Sequence, residues 1–207
     1  MKRIEVFRII GSVIWVIIVA IPANAQVKMT EGNVDALKSQ KKVNVEFTYD
    51  NLSVGKVKNG DIKDKKTEAD YVAEIVAEKS KKDTGKGSEW AKAWVDDRKK
   101  IFEPHFIKFF QKASDMEAGS FNDAKYTIIY KTNFLDPGVA NGTVFGSRTA
   151  TVLADIWIVE TANKSKIIAK LTQNSSGVAN SLFDTGQRIG DAYFGAGKSL
   201  GKFIKKN

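Results

Sequence analysis

Apolar positions along this chain alternate with polar ones, shift to helical spacing, and then alternate again. Val43-Asn44-Val45-Glu46-Phe47-Thr48-Tyr49 places valines and aromatics on one face and polar groups on the other, the period of a half-buried strand. Asp50-Asn51 ends it. Val54 to Lys66 carries two glycines and many charges and reads as a loop, with a turn at Asn59-Gly60. Thr67, with Asp70 three residues on, begins a helix bearing Tyr71, Val72, Ile75 and Val76. Asp83 to Gly87 breaks the pattern, and Ser88 is placed to cap a second helix carrying Trp90, Trp94, Arg98, Ile101 and Phe102. Pro104 falls inside that pattern and predicts a kink or restart before Phe106, Phe109 and Phe110.

Three strands follow. The first buries Ala124, Tyr126, Ile128, Tyr130, Thr132 and Phe134; the second, Thr149 to Glu160, is apolar on both sides, as in a central strand. A glycine-rich loop, 135–147, separates them, and loops of that length often carry function. Asn163-Lys164-Ser165 turns the chain into a hairpin partner with Ile167, Ala169 and Leu171. After a polar loop, Phe183 to Lys206 has the spacing of a closing helix. Gln26 to Lys42 reads as a polar leader or frayed helix. The expected fold is α+β, a mainly antiparallel sheet of about four strands covered by helices in the order β-α-α-β-β-β-α. A single domain spans residues 43–207.

Residues 1–25 have a different character. Lys2, Arg3 and Arg8 precede the uncharged run Ile9–Ile21, and Pro22-Ala23-Asn24-Ala25 supplies an A-x-A site. This is the layout of a secretory signal peptide cleaved between Ala25 and Gln26. The apolar run is shorter than the roughly 20 residues a membrane span needs. The expected location is therefore periplasmic or secreted. Export changes the meaning of the charge. The whole chain carries +9, and removing three bases and one acid lowers it by two. For an exported protein that excess suits an anionic envelope surface better than nucleic acid. Zero cysteines exclude thiol catalysis, disulfides and Cys-ligated metal, and a single histidine excludes a His-pair metal motif. No cofactor is expected.

Four features carry candidate chemistry. Gly186, Gly190, Gly197 and Gly201 lie near one stripe of the closing helix, where each costs about 1 kcal/mol relative to Ala. Close approach to the underlying sheet, or to a helix of another chain, would offset that cost. Lys198, Lys202, Lys205 and Lys206 crowd the last turns. They fit either a solvated helix C-terminus or contact with anionic lipid or polysaccharide. Asp155 stands mid-strand between apolar neighbours, where a buried carboxylate needs a partner: a Lys or Arg from a covering helix, or a site shared with the 135–147 loop. Trp90 and Trp94, one turn apart, fit core packing or a sugar-stacking platform. Gly197-Lys198-Ser199 ends like a phosphate loop. Position 192 is Ala where that motif needs Gly, and a helical pattern runs through it, so no nucleotide is expected. His105 reads as a capping or packing residue.

Val43–Gly55 (VNVEFTYDNLSVG), Trp90–Arg98 (WAKAWVDDR) and Phe183–Lys202 (FDTGQRIGDAYFGAGKSLGK) together resemble a family of exported, functionally uncharacterised Bacteroidetes-type proteins. The resemblance implies an envelope or secreted location and brings no catalytic residues. At the level of fold, the layout is similar to the α/β domain of the curli secretion protein CsgG and to the N-terminal domain of TolB. The sequence thus leads to a non-catalytic envelope protein that binds a protein partner or forms a homo-oligomer, with binding of anionic envelope lipid or polysaccharide as the alternative.

Overall fold

The computed structural model describes residues 26–140, 147–177 and 184–207; the segments 1–25, 141–146 and 178–183 lie outside the described residues. The signal-peptide reading, part of the glycine-rich loop and Phe183 therefore fall outside it. The chain runs β1 (Gln26–Gly32), α1 (Asp35–Lys38), β2 (Lys42–Thr48), β3 (Ser53–Lys58), β4 (Asp61–Thr67), α2 (Glu68–Ser80), α3 (Thr84–Asp97), a π turn (Arg98–Phe102), α4 (Glu103–Ser114), β5 (Glu117–Gly119), β6 (Tyr126–Asp136), β7 (Thr151–Glu160), β8 (Asn163–Ser176) and α5 (Thr185–Lys206).

The class is α+β, but the sheet has eight strands and is mixed, which corrects the expectation of about four mainly antiparallel strands. The main order is β1-β8-β7-β6-β2-β5, with β3 beside β2 on the same edge of β6 and β4 beyond it. β2 and β3 run parallel to β6, and β2 runs parallel to β5; the other pairs are antiparallel.

The added strands lie at edges, which explains why the hydrophobic pattern missed them. The segment read as a leader contains β1, which pairs with β8 and turns half-buried Val27 and Met29 inward while its other residues stay largely in water. The charged segment read as a loop is the β3–β4 hairpin, and its β4 residues are nearly all exposed. Its Asn59-Gly60 turn does form, with φ of 54° and 85°, the left-handed pair that suits a two-residue hairpin loop.

The helix boundaries follow local chemistry. Thr67 caps α2 by accepting from the Asp70 amide at 3.1 Å. The next helix starts earlier than expected because Asp83, not Ser88, is its cap, accepting from the Gly85 amide at 3.0 Å. Pro104 causes no break. The helix widens into the π turn, where the Glu103 amide donates to the Arg98 carbonyl, and continues as α4.

The core lies between the sheet and the α4–α5 layer. All six positions assigned to the inner face of β6 and its approach, Ala124 to Phe134, are at most 7% exposed, but a bulge between Thr132 and Phe134 turns Phe134 to the face of Leu153 and gives its expected place in the core to Leu135. Phe106 of α4 meets Tyr130 at 4.7 Å and Phe47 edge-on at 5.3 Å, while Phe102 stacks on Tyr193 of α5 at 5.3 Å. Twelve residues of α5 are buried, including Ile189, Tyr193, Ala196, Leu200 and Ile204. It is a central helix that packs on α4 along one side and on the sheet along another.

Candidate functional site

The glycine stripe of α5 does not face the sheet: it faces the α3–α4 helix of the same molecule. A Cβ on Gly186 would stand 2.2 Å from the Asp97 carboxylate, one on Gly190 2.6 Å from Ile101, one on Gly197 2.1 Å from the Phe106 carbonyl, and one on Gly201 2.7 Å from that of Phe110. Backbone therefore approaches backbone along the α4–α5 contact. The sheet is touched by the other side of α5, where Ser175 donates to the Ala192 carbonyl at 2.7 Å and Gln173 to that of Ala196 at 3.0 Å. His105 packs here against Gly190. Gly197-Lys198-Ser199 lies within α5, and the Ser199 hydroxyl donates to the Ala196 carbonyl at 3.1 Å.

Lys198, Lys202, Lys205 and Lys206 are exposed and share one side of α5. Lys205 forms an ion pair with Asp115. Lys198 lies 5.6 Å from the Phe194 ring centroid.

Asp155 is not under a helix. It is half-buried on the side of the sheet away from α4 and α5, in register with Lys131 of β6 and Thr172 of β8, and it forms no ion pair among the described residues. The expected Lys or Arg from a covering helix is thus absent from its neighbours. The same face carries Ile129, Leu153 and Trp157, all half-buried. Lys131 Nζ lies 3.9 Å from the Trp157 ring centroid and Lys170 Nζ lies 6.0 Å from it. A cation this close to an indole face is held by the ring's quadrupole.

The buried polar groups that the sequence reading missed sit at the base of the 135–147 loop. Asp136 is 1% exposed. It accepts from Arg148 at 2.6 Å, from the Val57 amide at 2.7 Å and from the Gly138 amide at 2.9 Å. Nearby Arg188 is buried, donating Nε to the Pro137 carbonyl at 3.1 Å. Asp136-Pro137-Gly138 reads as an ordinary turn in sequence, and nothing in its pattern announces an ion pair. A second internal network joins Glu103, which accepts from Lys99 at 2.8 Å, to Tyr49 at 3.5 Å. Close by, the Tyr193 and Thr132 hydroxyls are 2.6 Å apart. Burial pushes the phenols of Tyr49, Tyr130 and Tyr193 well above their ordinary range, and that of Tyr71 up to about 12.

The two tryptophans of α3 stack at 5.4 Å. Trp94 is 5% exposed and its indole N–H donates to Glu68 at 2.6 Å, so it is anchored, whereas Trp90 remains half-exposed. Trp90 lines two neighbouring depressions. One, of about 470 Å³, is lined by Lys79, Lys82 and Lys86 with Glu78 and Glu89. The other, of about 200 Å³, shares Lys79, Trp90 and Ala93 and reaches Asp97, Asp184 and the start of α5. Burial, and then the neighbouring Asp184 carboxylate, push the Asp97 carboxyl above its ordinary range.

No protein-family model matches this chain, and no curated protein matches it. Among solved structures, the PelC dodecamer of Paraburkholderia phytofirmans is 12% identical, with 85% of this chain and 96% of that chain covered and a TM-score of 0.37. A variant of that PelC with one leucine replaced by methionine, also a dodecamer, scores 0.36 at the same identity and coverage. A Xanthomonas campestris protein of the DUF330 family is 8% identical, covering 80% of this chain and 84% of that one, with a TM-score of 0.35. Likenesses at this level assign neither a family nor a function to this chain.

Proposed function

We propose that the chain is an exported, non-catalytic protein of the cell envelope that assembles with copies of itself through the uncovered face of its sheet. One observation carries the reading: Ile129, Leu153 and Trp157 form a half-exposed apolar patch on the central strands, flanked by Lys131 and by Asp155, which has no ion-pair partner among the described residues. A face bearing an apolar centre and charges of both signs is complementary to a second copy of itself, as a two-fold interface requires. The export signal at residues 1–25 supports the location. So does the resemblance of Val43–Gly55, Trp90–Arg98 and Phe183–Lys202 to exported proteins.

The test is light scattering of the protein produced from its full sequence in an exporting host. An oligomer is expected, and Asp155→Lys and Lys131→Asp should each shift it toward monomer, because each puts like charges against each other across the interface. Mixing the two variants should restore assembly. A monomer at every concentration, or assembly unaffected by either variant, refutes the proposal.

The exposed stripe Lys198, Lys202, Lys205 and Lys206 supports a second reading, contact with an anionic envelope surface. Replacing all four with Ala should then abolish salt-sensitive binding to anionic vesicles; unchanged binding removes this reading.

A further inference from the structure

We infer that the groove along α3, centred on Trp90, is a binding site for an acidic oligosaccharide. The site is independent of the sheet face described above. Lys86, Trp90, Ala93 and Asp97 recur at helical spacing, so they form one stripe of α3. The twelve residues from Lys86 to Asp97 extend about 16 Å along the axis, room for more than one sugar ring. The stripe borders both depressions, which share Lys79, Trp90 and Ala93 in their walls.

Each part supplies one component of sugar recognition. Trp90 is half-exposed and backed by Trp94 at 5.4 Å, with Tyr71 packed on Trp94 at 5.2 Å, so it offers a rigid aromatic surface to the apolar side of a pyranose. Asp97 forms no hydrogen bond or ion pair among the described residues. It lies against the start of α5, beside Asp184, whose Oδ1 accepts from the Gln187 amide at 2.7 Å. An under-bonded carboxylate beside an aromatic wall is an acceptor for sugar hydroxyls, and hydrogen bonds to a charged acceptor are the strong ones. At the other end Lys79, Lys82 and Lys86 line the larger depression and form no ion pair among the described residues, although Glu78 and Glu89 share its walls. Their ammonium groups are available to carboxylates on the sugar. A neutral glycan would leave the lysines unused, and a simple anion would leave Trp90 and Asp97 unused. The combination selects a uronic-acid chain.

The test uses the same full-sequence protein, with oligogalacturonate as probe, a neutral malto-oligosaccharide of equal length, and inorganic polyphosphate, followed by calorimetry and tryptophan fluorescence. Oligogalacturonate should bind and change the tryptophan emission, with affinity falling as salt rises. The malto-oligosaccharide should bind at least tenfold more weakly. Lys82→Ala combined with Lys86→Ala alters exposed side chains and should weaken oligogalacturonate at least tenfold without changing the unfolding temperature. Asp97→Asn should weaken it while stabilising the fold at neutral pH, a divergence that a purely structural residue would not show. Absence of oligogalacturonate binding overturns the proposal. So does binding that polyphosphate matches and that Trp90→Ala, shown to be folded by circular dichroism, leaves intact, since that pattern is charge attraction alone.

Discussion

Replacing Gly197 by Ala tests the α4–α5 contact directly. The new Cβ would stand 2.1 Å from the Phe106 carbonyl oxygen and 2.9 Å from its carbon. Ordinary contact begins at 3.4 Å, and the obstacle is backbone, which cannot rotate away. Both helices are packed on their other sides, α5 against β8 and α4 against Phe47 and Tyr130. Overpacking of this kind costs about 3 kcal/mol at the upper end of its usual range. Ala recovers about 1 kcal/mol through its higher helix propensity. The net expectation is a loss of about 2 kcal/mol. With a urea m-value of about 2 kcal/mol/M the midpoint should fall by about 1 M, and the melting temperature by about 4–8 °C. Gly195→Ala in the same helix is the comparison. Its Cβ would meet the Ser175 hydroxyl at 2.9 Å, a side chain rather than backbone, so its effect should be smaller, confined to the Ser175 hydrogen bond to the Ala192 carbonyl. Equal stability changes in the two variants, or a stabilised Gly197→Ala, would falsify the backbone-to-backbone packing. A Gly197→Ala protein of unchanged stability but altered oligomeric state would mean that the stripe serves another chain.

Further expectations concern buried charge and pH. Asp136→Ala leaves Arg148 and two amides without their acceptor and should cost about 3 kcal/mol, read by thermal unfolding; a loss below about 1 kcal/mol would show that the loop base does not depend on this pair. The Asp97 carboxyl holds its proton more tightly folded than unfolded. Its contribution to stability is therefore present at low pH and lost as pH rises through its folded pKa. Asp97→Asn should be the more stable protein at neutral pH, and the difference should vanish below the carboxylate range; a difference that persists there contradicts the assignment. Tyr49, Tyr71, Tyr130 and Tyr193 are all raised by burial. The stability they contribute is intact below about pH 10, the unfolded phenol value, and declines above it. Absorbance of phenolate should show these four largely un-ionised at about pH 11 in the folded protein and ionised together on unfolding; early, stepwise ionisation would refute their burial.

The central elements were legible because burial there obeys a simple period. Burial alternates along β6 from Ile128 to Thr132, up to the bulge before Phe134, β7 is apolar on both sides, and the inner positions of α5 fall where helical spacing puts them. The edge of the sheet was not legible. β1 and β4 satisfy backbone groups by pairing while their side chains face water, so sequence hydrophobicity carries little trace of them. Asp155 was singled out because its neighbours are apolar, yet one face of β7 is open and its carboxylate needs no covering helix. The glycine stripe, expected against the sheet or another chain, faces α4 instead. Which surface it approaches depends on how α4 packs, and that is a property of tertiary structure. Asp136 and Arg148 are joined across a loop whose residues look like any turn, so their pairing had no local signal. Trp90 and Trp94 differ in role although they are one turn apart: Glu68, 26 residues before Trp94, anchors that indole and leaves Trp90 free.

The placement of α5 also bears on how the molecule folds. α5 completes the helical layer beside α4, packing on α4 and on β8, and the first described strand, β1, is completed by β8, more than 130 residues later. Neither the hydrophobic layer nor the sheet edge can close before the C-terminal residues arrive. Contacts of such sequence separation carry a large loop-closure entropy and slow the search for the native state. A nascent or partly emerged chain therefore has no stable half to fold into, and should acquire its structure cooperatively and late, in one step that the final helix completes.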